Sequence, residues 1–231
     1  MIVAILAAGF AMALLVAGRL LLIHPYSMPS SSMEPTIEMH DYLVALNEPF
    51  AGDPRRGDIV VFRQATDDGS FDFIDRVVGL PGDRVQLRDD RLYLNGAPLV
   101  VTPRGLHTGQ EPAGPTQVLR EEETNPDGRS YAIQIQPDGP TPFATTPVYT
   151  VPPNCLFVMG DNRDNTLDSR FGRGLAAGDP RLGGCPWDAS VDAAMGDQPG
   201  RGFVPVSGVG AILRWDLMRS LGPPASGASG G

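Results

Sequence analysis

The fold class of this chain is decided by the stretch Phe73-Ile74-Asp75-Arg76-Val77-Val78-Gly79-Leu80-Pro81-Gly82-Asp83-Arg84-Val85. Two runs rich in branched apolar residues flank the segment Gly-Leu-Pro-Gly-Asp. Gly and Pro are the residues that tight turns require, and branched side chains favour the pleated surface of a sheet. The stretch therefore predicts a strand over Phe73–Val78, a turn, and a second strand over Arg84–Leu87.

The same alternation of short apolar runs and turn residues continues on both sides of this stretch. The further predicted strands are Tyr42–Leu46, Ile59–Phe62, Leu92–Leu94, Tyr131–Ile135, Leu156–Met159 and Val209–Trp215. Hairpin turns are predicted at Asp89-Asp90 and Asn95-Gly96. No amphipathic pattern of helical length follows the amino terminus, which excludes a βαβ architecture and predicts a mainly β domain.

The amino terminus has a different character. Residues Ile2–Gly18 carry no charge, and Leu20–Ile23 continues the apolar run after Arg19. At about 1.5 Å per residue, a helix over Ile2–Ile23 is long enough to cross a hydrocarbon core of about 30 Å. A cleaved secretory signal would carry positive charge before its apolar run, and none precedes this one. We therefore predict a single transmembrane helix within an anchor of residues 1–25.

The rest of the chain divides by composition. We predict that residues 26–218 form one domain and that 219–231, rich in Gly, Ser, Ala and Pro, form a disordered tail. Two segments interrupt the strand pattern, at about 97–130 and 173–201, and they are predicted to be insertions or loops on the core.

Charge and residue counts exclude several classes of function. The 18 basic residues are all Arg, and 27 acidic residues give a formal net charge of −9. Without a basic stripe, nucleic acid is not an expected partner. Three histidines and two cysteines, with no CxxC or HExxH motif, predict neither a metal site nor a bound cofactor. Cys155 and Cys185 could form one disulfide or remain thiols.

Two polar clusters stand out as candidate sites. The first is Met28-Pro29-Ser30-Ser31-Ser32-Met33-Glu34-Pro35-Thr36-Ile37, which alone could be a simple turn. The second is Met159-Gly160-Asp161-Asn162-Arg163-Asp164-Asn165-Thr166-Leu167-Asp168-Ser169-Arg170. It lacks the spacing of acidic ligands and the closing Glu of a calcium loop. Asp–Arg pairs and Asn side-chain caps are the more plausible interpretation.

Four blocks, in order behind the predicted anchor, resemble bacterial type I signal peptidase. They are Pro29–Thr36, Gly57–Arg63, Phe73–Val85 and Gly160–Arg170, and Gly202-Phe203-Val204-Pro205 matches a following segment. The resemblance covers about residues 1–96 and 145–218. It implies a fold of small antiparallel β-sheets coiled around one another, behind one transmembrane helix.

The resemblance also implies a function and a location. The family releases secreted proteins by cutting preproteins after small residues in an Ala-X-Ala pattern. The expected partners are signal peptides of preproteins and membrane lipid. The expected location is the plasma (inner) membrane, single-pass, with the domain on the outer, periplasmic or extracytoplasmic, face. Substrate is expected to lie extended between Tyr26–Ser31 and Phe71–Ile74.

Carried over by motif, the resemblance assigns roles to individual residues. Ser32 would be the nucleophile, and its backbone N–H and the hydroxyl of Ser30 would form the oxyanion hole. Thr166 matches the hydroxyl residue that positions the base. The residues that match the family's scaffold charges, expected to pair with one another, are Arg76, Asp161, Asp168 and Arg170.

One position departs from the family pattern. The family's general base is a Lys immediately before the Arg of the third block, and this chain has Asp75 there and no Lys elsewhere. A carboxylate, with an ordinary pKa of about 3.9, is a much weaker base than a desolvated amine. Two hypotheses follow: a serine endopeptidase of altered or weak activity, or a non-catalytic homologue that binds signal-peptide-like segments as an added strand. A self-cleaving repressor is a more distant third, which the anchor and the acidic charge disfavour.

Overall fold

The computed structural model describes residues 23–47, 51–66, 69–111, 114–137, 144–170 and 202–213, together with residues 5, 9, 10, 12, 18 and 185. The strands of this described part are β1 (Ile23–Ser27), β2 (Tyr42–Asn47), β3 (Ile59–Thr66), β4 (Gly69–Gly79), β5 (Arg84–Arg88), β6 (Arg91–Leu94), β7 (Ala97–Pro98), β8 (Val100–Glu111), β9 (Gly114–Thr124), β10 (Ser130–Ile135), β11 (Tyr149–Thr150), β12 (Cys155–Met159), β13 (Val204–Pro205) and β14 (Val209–Leu213). One turn of 3-10 helix occupies Val206–Gly208.

The strands form three sheets. A seven-stranded sheet has the order β1-β2-β14-β3-β4-β12-β13, a three-stranded sheet has the order β10-β9-β8, and a four-stranded sheet has the order β11-β5-β6-β7. Every strand pair in these sheets is antiparallel. The prediction of a mainly β, antiparallel domain is confirmed.

The centre of the large sheet is the pair β3–β4, which is buried on both faces over Ile59–Phe62 of β3 and Ile74–Gly79 of β4. Val60 and Phe62 of β3 pack with Val77 of β4 in one apolar cluster. Val61 and Ile74 point to the other face, into a cluster that also holds the methionines of the serine segment. Full burial of each such side chain contributes about 1.5–3 kcal/mol, so this pair holds its register firmly. Two-sided burial also explains why the sequence shows near-continuous apolar runs here rather than alternation.

The predicted turn between β4 and β5 is present, and Asp83 closes it. Its carboxylate accepts a hydrogen bond from the Leu80 amide at 2.7 Å, and its own amide donates to the Leu80 carbonyl at 2.9 Å. Arg56 pairs with the same carboxylate at 2.8 Å. A Cβ at Gly79 would lie 2.8 Å from the side chain of Val85, so only glycine allows β4 to leave the sheet at this point.

The segment at about 97–130 differs from its sequence-based description. Most of it forms β7, β8 and β9, of which β8 and β9 are a long hairpin paired from Val100–Thr124 to Glu111–Gly114. Leu106 is exposed on this hairpin, and the register shifts between Pro103 and Gly105. Few of its apolar side chains are buried, so the strands carry no alternating apolar pattern, and the prediction of loops there was wrong for this reason.

The predicted anchor lies almost entirely outside the described residues. Its described members before β1, at positions 5, 9, 10, 12 and 18, are helical. No helix among the described residues is long and apolar enough to cross a membrane. Ile23 is the first residue of β1, where it pairs with Leu46, so the carboxyl end of the predicted anchor range belongs to the sheet.

The two cysteines form a disulfide, which decides between the alternatives that the sequence left open. The Cα atoms of Cys155 and Cys185 are 5.9 Å apart, and both residues are buried in one apolar cluster. Apart from Cys185, the segment 173–201 lies outside the described residues, as do the tail and the last two residues of the predicted strand Val209–Trp215.

Candidate active site

The serine segment is a compact turn that the core holds at both ends. Met28 forms two backbone hydrogen bonds with the residues that precede β2. Its N–H donates to the Asp41 carbonyl at 2.9 Å, and its carbonyl accepts from the His40 N–H at 2.7 Å. Met33 is fully buried, and the amides of Thr36 and Ile37 both donate to its carbonyl. Because Met28 and Met33 anchor the segment in the apolar cluster, the serines between them are held in one conformation.

The three serines have different surroundings. Ser30 is exposed and Ser32 is half-buried, and their Oγ atoms are 3.1 Å apart. Ser31 is buried, and its hydroxyl accepts a hydrogen bond from Asn165 Nδ2 at 2.8 Å. The segment thus presents two adjacent hydroxyls to solvent and uses the middle serine as a structural contact.

Asn162 fixes the peptide unit that joins Ser31 to Ser32. Its Nδ2 donates to the Ser31 carbonyl at 3.2 Å, and its backbone N–H donates to the Ser32 carbonyl at 3.0 Å. In a planar trans peptide the C=O and the following N–H point in opposite directions. Holding the Ser31 carbonyl toward Asn162 therefore turns the Ser32 N–H away from it.

Asp75 lies on β4 and is 1% exposed. It pairs directly with Val60, and directly opposed residues of an antiparallel pair project to the same face. Its carboxylate therefore shares the face of Val60, Phe62 and Val77. Ile74, the preceding residue of β4, points to the opposite face and belongs to the other cluster.

Gly160 connects the Asp75 face to the serine segment. Met159 pairs with Arg76, so the register continued by one residue brings Gly160 alongside Asp75. A Cβ at Gly160 would lie 2.6 Å from the Ser32 carbonyl oxygen and would also collide with Thr166 Oγ1. The Thr166 hydroxyl is buried and has no hydrogen-bond partner among the described residues. The Thr166 side chain and the Ser32 carbonyl therefore both lie against Gly160 at the end of β12.

Arg76 ties β4 to the serine segment and to the loop after β12. Its guanidinium donates to both oxygens of Asp161, from Nε at 2.7 Å and from Nη2 at 2.6 Å, and both side chains are buried. The same guanidinium donates to Thr36 Oγ1 at 3.3 Å and lies 4.4 Å from the centre of the Tyr131 ring. Burial lowers the pKa of Arg76, but the Asp161 carboxylate outweighs it and the pKa is raised.

Two further buried ion pairs stabilise the same loop. Arg170 donates to Asp168 from Nε and Nη2, at 2.9 Å each, and Asp168 also accepts from the Gly160 amide at 3.3 Å. Arg163 donates from both terminal nitrogens to the carboxylate of Glu123 on β9, with the Nη1 contact at 2.8 Å. Buried charges are stable only when they are paired and hydrogen-bonded, and these pairs meet that condition.

The structure connects several of the sequence-predicted site residues. The Oγ atoms of Ser30 and Ser32 are 3.1 Å apart, Thr166 lies against Gly160 beside the Ser32 carbonyl, and the strand register brings Asp75 alongside Gly160. The four predicted scaffold charges form the pairs Arg76–Asp161 and Arg170–Asp168. Sequence reasoning missed Thr36, Glu123 and Tyr131. The tyrosine and the glutamate lie in strands outside the motif blocks, and no local pattern connects them to the serine segment.

A serine hydroxyl held in a fixed turn is a group that can serve as a nucleophile in hydrolysis. The family model for signal peptidase, peptidase S26, matches residues 1–183. Signal peptidase I of Rickettsia prowazekii (strain Madrid E) is 34% identical over 183 residues, covering 68% of this chain and 68% of the relative. Signal peptidase I of Rickettsia typhi (strain ATCC VR-144 / Wilmington) is 33% identical over 183 residues, with the same coverage. The chain belongs to the signal peptidase family, peptidase S26.

A solved structure of a signal peptidase I, from Enterococcus faecalis V583, is 22% identical and covers 70% of this chain and 97% of that chain, with a TM-score of 0.33. This superposition is too loose to say anything about the present fold. The family assignment rests on the sequence matches, and they confirm the resemblance that the four motif blocks indicated.

Proposed function

We propose that this protein removes signal peptides from preproteins by serine-nucleophile hydrolysis, with Ser32 as the nucleophile. Ser32 Oγ would attack the scissile carbonyl and form a tetrahedral intermediate whose oxyanion accepts hydrogen bonds from the Ser32 N–H and the Ser30 hydroxyl. Removing one such donor from a hydrolase costs about 10²–10³-fold in kcat. The observation that carries the proposal is the pair of hydrogen bonds from Asn162 to the Ser31 and Ser32 carbonyls, which orients the Ser32 N–H.

The proton of the Ser32 hydroxyl must pass to a base, and we assign this role to Asp75. Asp75 is buried on β4, and the strand register brings it alongside Gly160, which lies against Thr166 and the Ser32 carbonyl. After the leaving amine takes up the proton, water repeats the attack on the acyl-enzyme and regenerates Ser32. A carboxylate is a weaker base than the amine that the family uses, so the proposed enzyme is slow.

We propose that the substrate lies as an extended segment between Tyr26–Ser31 and Phe71–Ile74. Two observations support this. Tyr26 packs against the apolar cluster that contains Ile74. The pKa of Tyr26 is raised, first by burial and then by the charge of Asp72 on β4. Met28, Met33 and Ile74 belong to one apolar cluster at the serine segment. We expect this cluster to favour small side chains before the cleaved bond, in an Ala-X-Ala pattern.

Cleavage of a preprotein in detergent tests the proposal. Wild type should release the mature protein, and Ser32→Ala should abolish release. Ser207→Ala is the matched control because Ser207 is an exposed serine on the 3-10 helix, and it should cleave as wild type does. A preprotein with Phe in place of Ala before the cleaved bond should resist cleavage. Release that persists in Ser32→Ala would refute the assignment of the nucleophile.

We further propose a single-pass plasma membrane protein with its β domain on the outer face, because the apolar run Ile2–Ile23 immediately precedes the serine segment. Protease added to spheroplasts should then degrade the domain. A domain that stays intact until the membrane is permeabilised would show the opposite orientation.

A further inference from the structure

Glu123 is a buried carboxylate in a sheet that does not carry the proposed nucleophile. It lies on β9, is 0% exposed, and contacts Arg163 with both carboxylate oxygens. The two residues are separated by 40 positions in the chain. A buried ion pair is weak evidence for stability, because apolar residues of similar volume often stabilise a core as well or better. The position that the Glu123–Arg163 pair imposes on the loop therefore tells more about its role than its contribution to stability does.

Arg163 is the residue through which the three-stranded sheet holds the loop after β12. Its guanidinium is held by β9, its backbone N–H donates to the Gln134 carbonyl on β10 at 3.0 Å, and its own carbonyl accepts from Arg170 Nη2 at 2.6 Å. Residue 162 also forms a bridge with Gln134 of β10. Side chain and backbone of Arg163 are thus both fixed against the smaller sheet.

The residues beside Arg163 are those that contact the serines. Asn162 holds the Ser31 and Ser32 carbonyls, and Asn165 holds the Ser31 hydroxyl. A displacement of Arg163 moves Asn162, its immediate neighbour, and with it the peptide unit whose N–H serves the oxyanion. Only Arg163 and Asn162 therefore separate Glu123 from the Ser32 N–H, the proposed oxyanion donor.

We propose that Glu123 is a positioning residue for the oxyanion hole: it fixes Arg163, and thereby the Asn162 contact that orients the Ser32 N–H. The inference rests on the proposed function of Ser32. It predicts that loss of the Glu123–Arg163 contact weakens stabilisation of the tetrahedral state and leaves ground-state binding of the peptide unchanged. Misplacement by about 1 Å can cost roughly 100-fold in such sites, so we expect a loss of about 10–100-fold.

A pair of ligands separates the two kinds of binding without requiring turnover. A peptide aldehyde ending in Ala-X-alaninal adds the Ser32 Oγ to its carbonyl carbon. A C–O bond forms, the carbonyl π bond breaks, and the serine proton ends on the hemiacetal oxygen, which lies in the oxyanion hole. The corresponding peptide alcohol occupies the same cleft but cannot form this adduct. The ratio of the two dissociation constants therefore reports on the nucleophile and the oxyanion hole.

We expect wild type to bind the aldehyde more tightly than the alcohol, and Ser32→Ala to bind both equally. Glu123→Gln should weaken aldehyde binding by about 10–100-fold and change alcohol binding by less than about twofold. The matched control is Glu122→Gln, because Glu122 is on the same strand but pairs with Arg104 away from the loop, at 2.7 Å. It should leave both dissociation constants unchanged.

Further variants keep the test decisive if Glu123→Gln does not fold. Arg163→Lys keeps the charge but loses the bidentate contact with Glu123. It should therefore lose less aldehyde affinity than Glu123→Gln does. The exchange Glu123→Arg with Arg163→Glu should restore part of it. An aldehyde preference that survives in folded Glu123→Gln and in Arg163→Lys would overturn the positioning role alone. Equal binding of aldehyde and alcohol by wild type would overturn the proposed function, and this inference with it.

Discussion

Replacement of Asp75 by Lys is the perturbation that bears most directly on the chemistry of this site. We expect Asp75→Lys to raise the rate of preprotein cleavage by about 10²–10⁴-fold, the usual contribution of a well-matched general base. Ser32, Ser30 and Thr166 match the family motif, so the variant changes the proposed base and leaves the proposed nucleophile and oxyanion donors in place.

The burial of position 75 determines whether a lysine there can act. Asp75 is 1% exposed and shares its face with Val60, Phe62 and Val77. Burial disfavours the ammonium form and can lower the pKa of a lysine by up to about 3–5 units from about 10.4. A decrease of about 2.4 units would leave half of the amine neutral at pH 8, at a cost of about 3 kcal/mol in the stability of the folded state. We therefore expect a variant that is more active and less stable.

The assay is cleavage of a preprotein across a pH series, with thermal unfolding measured on the same samples. Activity of Asp75→Lys should rise with pH as the amine loses its proton. Asp75→Arg is the matched control because a guanidinium of similar length stays protonated and cannot serve as a base. Asp75→Asn should lose the activity of wild type, since it removes the carboxylate and keeps its shape.

Two results would contradict this reasoning. Wild type that cleaves as fast as Asp75→Lys would show that the carboxylate is not a limiting base. An equal gain of activity in Asp75→Arg would show that charge or volume, rather than proton transfer, is responsible. Wild type and Asp75→Asn with the same background, and activity only in Asp75→Lys, would assign the wild-type protein to the non-catalytic homologues.

Three other perturbations test the surroundings of the site. Gly160→Ala places a methyl group 2.6 Å from the Ser32 carbonyl oxygen, so it should abolish the aldehyde preference and destabilise the fold by about 1–3 kcal/mol in urea unfolding; unchanged affinity would refute the close approach. Burial, followed by the Asp164 carboxylate, raises the pKa of Asp90, and stability from this group is therefore lost as pH rises through its titration. Asp90→Asn should therefore be more stable than wild type at pH 7, and this advantage should shrink at pH 3, where Asp90 is protonated. A difference in melting temperature between variant and wild type that is the same at both pH values would contradict this. The disulfide closes a separation of 30 residues, so Cys155→Ser should cost about 3–4 kcal/mol, and an unchanged unfolding midpoint would refute that estimate.

Apolar runs and turn residues in the sequence predicted those strands that have a buried apolar run or end at a turn. The strands β3, β4, β5 and β12 were predicted within a few residues of their observed bounds, because their apolar runs are buried on both faces or end at turn residues. The hairpin of β8 and β9 was missed. Its length is maintained by backbone pairing and not by a buried apolar face, and single-sequence periodicity detects only the latter.

The site shows the same division. The serine segment and the loop Gly160–Arg170 were visible as dense polar blocks. The family resemblance led us to expect that Arg76, Asp161, Asp168 and Arg170 pair with one another, and the structure shows the pairs Arg76–Asp161 and Arg170–Asp168. Glu123 was visible only as one of three consecutive acids in a predicted insertion. Strand pairing gives these neighbours different surroundings, since Glu122 reaches Arg104 at the surface while Glu123 is buried against Arg163. That distinction is a property of the sheet, which the residue run does not contain.

The buried ion pairs bear on what this site is built to do. Three arginines are buried within or beside the loop after β12, each paired with a carboxylate, and apolar side chains in their place would often give equal or greater stability. Apolar contacts do not, however, orient polar groups, whereas the hydrogen bonds of a guanidinium do. Arg76 orients Thr36 while it holds Asp161, and Arg163 fixes the neighbour of the Asn162 contact to the serine backbone. A protein that only bound extended peptides would need its cleft and its strand edges, but no fixed N–H beside Ser32. The arrangement of these charges therefore supports the proposed hydrolysis over binding alone, and we expect Asp75 to be the position that sets its rate.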